Sequence, residues 1–492
     1  MEITEEPSFT YRRRDVGEGW SHTPENLPQL IDWMAKQRLN TLTYPGGTGR
    51  RLVGWDLWRE ELIPELDKRD MILEVGGHGY QNFLSPEEHP EYYTSGVNVF
   101  DVDNDEAVQT YVDNVVAYVE QRPEIDIFDS WPPDGSRWPE AASEKFGSIA
   151  NAYSHVTNAL TEGIREERLD VTVEAIAYSS HIDPPDPEYA FDPATLIDFA
   201  PYDRSYTEPI FDDTYPRNAF YDELVQTWRQ DFDGPMAFYE YYRKYSWHSL
   251  PIVLPELIGQ EMAYYHSLGL NGFGIYSEPA DWLTYELTQL LVAAMSWDAQ
   301  LDADGYVRQY VDERYGDSAG AMTEYYAHVE TAGSAIFDRA PGNYANLDVV
   351  SRARDHFLAA KDAVNRARAT ADDDSTEAFL ADRLSTNADF AVADTEIGYY
   401  TLLGEVDERE QAKRRTKELV EAHRFDGVLL YSLWTVRRYQ SDWGREPWIF
   451  AMYRGELATP LTLVSSPLMA NGEPAEVTAT LGNYSREGFI EN

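Results

Sequence analysis

The sequence predicts a (β/α)8 barrel followed by a helical domain and a short β-rich tail. Three observations carry this: eight strand-like runs alternate with helical stretches before residue 300, several of those runs are apolar on both faces, and the chain turns wholly helical after residue 303. A length of 492 residues accommodates two to four domains.

The strand-like runs are FTYRRRD (9–15), LNTLTYPG (39–46), MILEVGGHG (71–79), IDIFDSW (125–131), DVTVEAIAY (170–178), LIDFAPY (196–202), MAFYEYY (236–242) and LNGFGIYSE (270–278). Strands buried on both faces belong in a parallel sheet. Between them, Thr23-Pro24-Glu25 offers a capping hydroxyl and a first-turn proline to LPQLIDWMAKQ. Val108, Tyr111, Val112, Val115, Val116 and Val119 recur at helical spacing, as do Leu257, Met262, Tyr265 and Leu268. A doubly wound open sheet is the rival architecture. It usually shows a Gly-rich first turn, and Gly17 and Gly19 of RRRDVGEGW are a weak match. The barrel is expected over residues 1–300.

From 303 to about 425, VRQYVDERYG, AGAMTEYYAHVETAGSAI, LDVVSRARDHFLAAKDAVNRARA and EAFLADRLSTNADFAVADTEIGYYTLL carry apolar stripes, with Asp372-Asp373-Asp374-Ser375 as a solvated turn. A helical domain is expected over 301–455. The tail, 456–492, contains PLTLVSSPLMANGEPAEVTATLGNYS, which alternates like the opening strands of a β-sandwich but is too short to complete one.

Forty Lys plus Arg against 87 Asp plus Glu give a net charge of −47, which repels phosphate backbones and excludes nucleic acid as a partner. The 34 Tyr, 19 Phe and 13 Trp argue against disorder. Only seven of the cations are Lys, and an acidic, lysine-poor, well-cored chain reads as salt-adapted, the composition of a halophilic archaeon. With no Cys there are no disulfides, thiolate metal sites or cysteine nucleophiles. There is no apolar run of membrane-spanning length, and MEITEEPS does not resemble a signal peptide. Both a cytoplasmic location and secretion by a leader outside this sequence fit that start. Neither a metal nor a cofactor is expected: ten His show no ligand spacing, there is no GxSxG or P-loop, and Asp101-Val102-Asp103-Asn104-Asp105 lacks the Gly and Glu of a calcium loop and reads as a helix-capping turn.

Barrels place functional side chains at the C-terminal ends of their strands. There the sequence offers Asp134 in SWPPDG, Glu240 in YEYY and Glu278 in YSEPADW, the last two inside aromatic runs. Hydrolysing a glycosidic bond needs two carboxyls across one sugar ring, one kept protonated by its surroundings. Glu240 is the expected nucleophile or base, and Glu278 or Asp134 the acid. Arg13, His78, Trp131, Tyr178, Tyr242, Tyr276 and Trp282 are the expected sugar-binding residues. His78 lies in a Gly76-Gly77-His78-Gly79 turn, and Arg13 lies in a triplet of cations, Arg12 to Arg14.

These motifs resemble the DUF4838 family of glycoside-hydrolase-like barrels, which includes glycoside hydrolase family 163 and is similar in outline to family 67 α-glucuronidases. The resemblance spans roughly residues 8–335. It rests on FTYRRR, RLNTL, LEVGGHGYQNFLSPEEHPEYY, WPPDGSRW, AIAYSSHIDPP, FYEYY and LGLNGFGIYSEPADW, and on LLVAAMSWDAQLDADGYVRQYVDERYG beyond them. It implies a barrel acting on glycosides, β-N-acetylglucosaminidase-like, with Asp134, Glu240 and Glu278 at the family's acidic positions. Relatives often carry cysteines near that Asp-Gly and an α/β domain ahead of the barrel; this sequence has neither. Substrate-assisted hexosaminidases use an Asp-Glu pair after strand four, where SWPPDG has no Glu. An inverting α-glucuronidase, with Arg12 to Arg14 meeting an acidic sugar, and a non-catalytic carbohydrate-binding barrel are the alternatives.

Overall fold

The computed structural model describes residues 6–15, 27–45, 53–167, 169–202, 204–243, 249–276, 281–336, 347–423, 426–429, 461–464 and 476–479. Eight parallel strands close into a barrel in sequence order: β1 (Tyr11–Asp15), β2 (Thr41–Pro45), β3 (Ile72–Gly76), β4 (Ile127–Asp129), β5 (Thr172–Ala177), β6 (Leu196–Phe199), β7 (Met236–Glu240) and β8 (Gly272–Ile275), with β8 pairing back onto β1. All eight fall within the strand-like runs of the sequence.

The helices outside the barrel are α1 (Leu27–Lys36), α2 (Val53–Asp67), α3 (Tyr80–Phe83), α4 (Asp105–Glu120), α5 (Glu140–Phe146), α6 (Ile149–Glu166), α7 (Pro216–Asp231), α8 (Pro255–Ser267) and α9 (Trp282–Trp297). The acidic turn before α4 is a cap, as expected: the Asn104 side chain accepts from the Glu106 N–H at 3.0 Å. The proposed cap at Thr23 and Pro24 lies outside the described residues.

Side chains alternate between lumen and helix layer along each strand. The lowest lumen layer is Ile127, Leu196 and Ala237, with Tyr11 and Ile72 packed against them. Two residues further up, the lumen positions of the same strands carry Arg13, Glu74, Asp129, Asp198 and Tyr239. Glycine makes room at this level. A Cβ on Gly274 would lie 3.0 Å from that of Arg13, and one on Gly76, whose φ is +146°, would collide with the Asp129 backbone at 2.3 Å.

Beyond β8 the chain is helical: α10 (Ala303–Tyr315), α11 (Ala319–Ile336), α12 (Leu347–Thr370), α13 (Thr376–Leu403) and α14 (Val406–Ala422). Consecutive helices from α11 to α14 pack on one another. Their core joins Tyr310, Tyr315 and Tyr326 to an alanine-rich face of α12 at Ala360, Ala363 and Ala367. The bundle is fastened to the barrel. Asn387 donates to the Ser249 carbonyl at 2.7 Å, and Gly427 and Val428 accept from the Leu283 N–H (2.9 Å) and the Thr284 hydroxyl (2.8 Å) in the first turn of α9. In the tail, β9 (Leu461–Val464) and β10 (Glu476–Ala479) pair antiparallel. No described helix is long and apolar enough to cross a membrane.

Candidate functional site

Four carboxyls and one guanidinium fill the middle of the lumen. Arg13 on β1 holds Glu74 on β3 in a two-pronged contact and pairs with Asp198 on β6 at 2.5 Å. Asp129 on β4 and Glu174 on β5 are register neighbours, 1% and 0% exposed. Both Asp129 oxygens and Glu174 Oε1 are buried with no hydrogen-bond partner among the described residues, while Glu174 Oε2 accepts from the Trp131 indole N–H. Burial, then the charges of Glu74 and Glu174, holds the Asp129 carboxyl well above the usual range. Burial and the charge of Asp198 do the same to Glu174, and burial raises Asp198 to about 6 against the pull of Arg13. Burial alone would lower the Arg13 pKa, but three carboxylates outweigh it, so the guanidinium stays charged. One cation cannot neutralise four buried anions, so this layer retains protons that exposed carboxyls would have lost.

Above the layer, at the C-terminal mouth, six aromatic side chains form a closed ring. Trp131, at the end of the β4 run, meets His78 at 5.2 Å between ring centres, and His78 meets Tyr178 at 6.1 Å. Tyr178 meets Tyr202 at 6.3 Å, and Tyr202 meets Tyr241 at 4.9 Å. Tyr239 closes the circle, 5.1 Å from Tyr241 and 6.3 Å from Trp131. The ring draws on the ends of five strands, β3 to β7. Trp131, Tyr239 and Tyr241 are buried; His78, Tyr178 and Tyr202 are half-buried and line its open side. His78 Nδ1 lies 2.6 Å from the Pro132 carbonyl and donates to it; in the neutral ring Nε2 is then the acceptor. Asp134 is exposed on the loop after β4, and its charge helps raise the Tyr241 phenol after burial and the neighbouring tyrosines. Behind the ring, burial and then the charge of His78 lower the His181 pKa to about 3 and keep that side chain neutral.

Of the expected site residues, His78, Trp131 and Tyr178 belong to this ring, and Asp134 stands near it. Arg13 lies beneath, 3% exposed, with its fork engaged by carboxylates rather than open to a sugar. Tyr276 follows β8, half-buried, with the Arg243 guanidinium 5.5 Å from its ring. Glu278 lies outside the described residues.

Glu240 and Tyr242 require correction. Along β7 the lumen positions are Ala237 and Tyr239, so Phe238 and Glu240 face the helices. Phe238 stacks on Tyr265 of α8 at 4.0 Å. Glu240 accepts from Arg204 (2.7 Å), Tyr206 (2.8 Å), Tyr265 (3.1 Å) and the Tyr241 N–H (2.6 Å). Tyr242 is fully buried on the same side and donates to Glu261 of α8 at 2.6 Å. The aromatic run hid a one-residue parity, and parity decides which face a side chain takes.

Trp282 is also in the helix layer, edge-on to Trp33 at 4.7 Å and under Arg14 at 4.8 Å. Arg14 donates to Gln289 of α9, and Arg12 donates to the Phe9 and Arg38 carbonyls. Both are turned away from the mouth, which removes the expected acid-sugar contact of the triplet.

The lumen carboxyls Glu74, Asp129, Glu174 and Asp198 were not singled out from the sequence. Their signal is present, a single acid in each of four otherwise largely apolar strands. Tyr202, Tyr239 and Tyr241 complete the ring, and their tyrosine-rich strand ends hinted at it. Among the described residues no group of three or more acids or histidines has metal-holding geometry.

The family model described as "Domain of unknown function (DUF4838)" matches residues 1–328. No curated protein matches the sequence. Among solved structures, a GH138 enzyme targeting pectin rhamnogalacturonan II is similar at a TM-score of 0.55 and 11% identity, covering 90% of this chain and 65% of that one. A Thermobaculum terrenum O-GlcNAc hydrolase gives a TM-score of 0.49 at 12% identity, covering 88% and 93%. The first likeness is one of fold, and this chain spans about 65% of the length of that enzyme.

Proposed function

The chain belongs to the DUF4838 family, and from that premise we propose that it is a glycoside hydrolase whose sugar site is the aromatic ring at the barrel mouth. The closed circle of six aromatic side chains beside an exposed carboxyl carries this reading. Sugar rings present flat C–H faces that pack on aromatic surfaces, while their hydroxyls need acceptors such as His78 Nε2. Hydrolysis needs two carboxyls: one protonates the leaving oxygen, and the other attacks the anomeric carbon or takes a proton from water. Asp134 supplies one from the loop after β4. Glu278, three residues past β8 in sequence, is the proposed second. The resemblance to family 163 makes β-N-acetylglucosaminides the first substrates to test. Release of the aryl group from a panel of aryl glycosides in molar salt tests the proposal, with Asp134→Asn as the control. Turnover that survives both Asp134→Asn and Glu278→Gln would refute the assignment of these carboxyls.

A specific observation favours a second reading, a carbohydrate-binding barrel without catalysis. Glu240, the acid expected on strand seven, is tied up in a fully buried ion pair with Arg204. Saturable binding of a sugar with no turnover across the whole panel would select it.

A further inference from the structure

Trp131 connects the aromatic ring to the lumen. Its backbone N–H donates to the Gly77 carbonyl at 3.2 Å, which fixes its Cα over the β3–β4 seam. The indole then touches His78 on one side and Tyr239 on the other, and its Nε1–H reaches down to Glu174. With the backbone held, that hydrogen bond and the two ring contacts together restrict the side-chain rotamer. Among the described residues Glu174 is the one lumen acid hydrogen-bonded to a member of the ring. Glu74 and Asp198 pair with Arg13 and Asp129 has no hydrogen-bond partner among those residues, whereas Glu174 turns one oxygen to the indole. A fully buried carboxyl held this way is costly, and an apolar side chain would fill the same space at less cost. The arrangement is accounted for if the indole must be held at one tilt.

We propose that Glu174 is a positioning residue of the sugar site: it holds the Trp131 indole through Nε1 and, through Trp131, sets His78 after the adjacent strand β3 and Tyr239 on β7 across the lumen. The inference rests on the reading of the ring as a sugar site. It adds a residue that touches no sugar but determines how well one is held.

Labelling the protein with 5-fluorotryptophan tests it, the Trp131 fluorine signal being the one lost in Trp131→Phe. Glu174→Gln keeps an acceptor oxygen for the indole. It leaves the Trp131 signal in place and the affinity for p-nitrophenyl N-acetyl-β-D-glucosaminide within about twofold of wild type. Glu174→Leu removes the acceptor, displaces or broadens the signal, and weakens that affinity by about tenfold. Adding Glu174→Leu to Trp131→Phe costs no further affinity, because the two act as one unit. The proposal is overturned if Glu174→Leu leaves signal and affinity unchanged, or if Glu174→Gln fails as badly as Glu174→Leu. If Glu174→Leu does not fold, Trp131→Phe removes the same hydrogen bond from its other end and must itself show the tenfold loss. If the wild-type protein does not bind the glycoside, the fluorine signal alone decides the positioning role, and the glycosidase reading is what fails.

Discussion

Glu240 and Arg204 face each other at 2.7 Å with neither side chain exposed, and the same guanidinium reaches Glu261 at 2.5 Å. The pair sits between β7 and α8, behind the mouth rather than in it. Glu240 also accepts from the Tyr241 N–H, so this ion pair fixes the strand end that carries two members of the aromatic ring.

Glu240→Gln leaves Arg204 its second partner, Glu261, but replaces the charge-assisted hydrogen bonds of Glu240 with neutral ones. The change is therefore expected to lower unfolding free energy by about 1–3 kcal/mol, measured by denaturant titration. A variant of unchanged stability with turnover reduced about a hundredfold would return Glu240 to the chemistry.

Asp134 is exposed, and among the described residues its Oδ1 accepts only from its own turn, at the Gly135 N–H (3.0 Å). Asp134→Asn should keep its stability within about 0.5 kcal/mol. The same change is expected to cut glycoside turnover by about a hundredfold or more. Equal rates for both proteins on a substrate the wild type cleaves would exclude Asp134 as an acid or base.

Tyr178 is half-buried on the open side of the ring, between His78 and Tyr202. Removing it with Tyr178→Ala should weaken sugar binding by about tenfold, whereas Tyr178→Phe keeps the stacking face and most of the affinity. Calorimetric titration with the same aryl glycoside separates the two, and equal losses would point to the hydroxyl instead.

The lumen layer gives a pH dependence of defined sign. Asp198 is raised to about 6, above the value of about 3.9 for an unfolded Asp. Between those values the native protein binds a proton that the unfolded chain has released. The contribution is fully present below about pH 4 and is lost as pH rises through 6, at up to about 1.4 kcal/mol per pH unit. Asp129 and Glu174, shifted in the same direction, contribute with the same sign. The stability of wild type minus that of Asp198→Asn should therefore fall from pH 4 to pH 7. A rise in that signed difference over this range would contradict the protonated layer.

A net charge of −47 repels itself wherever salt does not screen it. The melting temperature is expected to rise from low to molar salt, and a flat profile would remove salt adaptation from the account.

The barrel was legible because buried parallel strands advertise themselves as short apolar runs at regular intervals, and MILEVGGHG or LIDFAPY can hardly be anything else. His78, Trp131 and Tyr178 could be placed at the barrel mouth because they lie at or next to the ends of such runs. What failed was parity inside YEYY, where lumen-facing and helix-facing positions carry similar side chains and periodicity has no contrast to read. Trp282 and Arg14 misled for a related reason, since a cation stacked on an indole serves a helix interface as well as a binding site. The four lumen acids were overlooked because an acidic chain makes any single carboxylate unremarkable; only the register that brings Asp129 beside Glu174 sets them apart.

The carbonyls of Gly427 and Val428 close the opening turn of α9, more than 140 residues earlier in the chain. A ribosome making this protein releases every barrel strand long before it supplies those two acceptors. The last barrel helix thus has a frayed beginning until the bundle has emerged and docked. Nascent chains stopped shortly after residue 303 should accordingly be more open to protease at α9 than chains carried past residue 429.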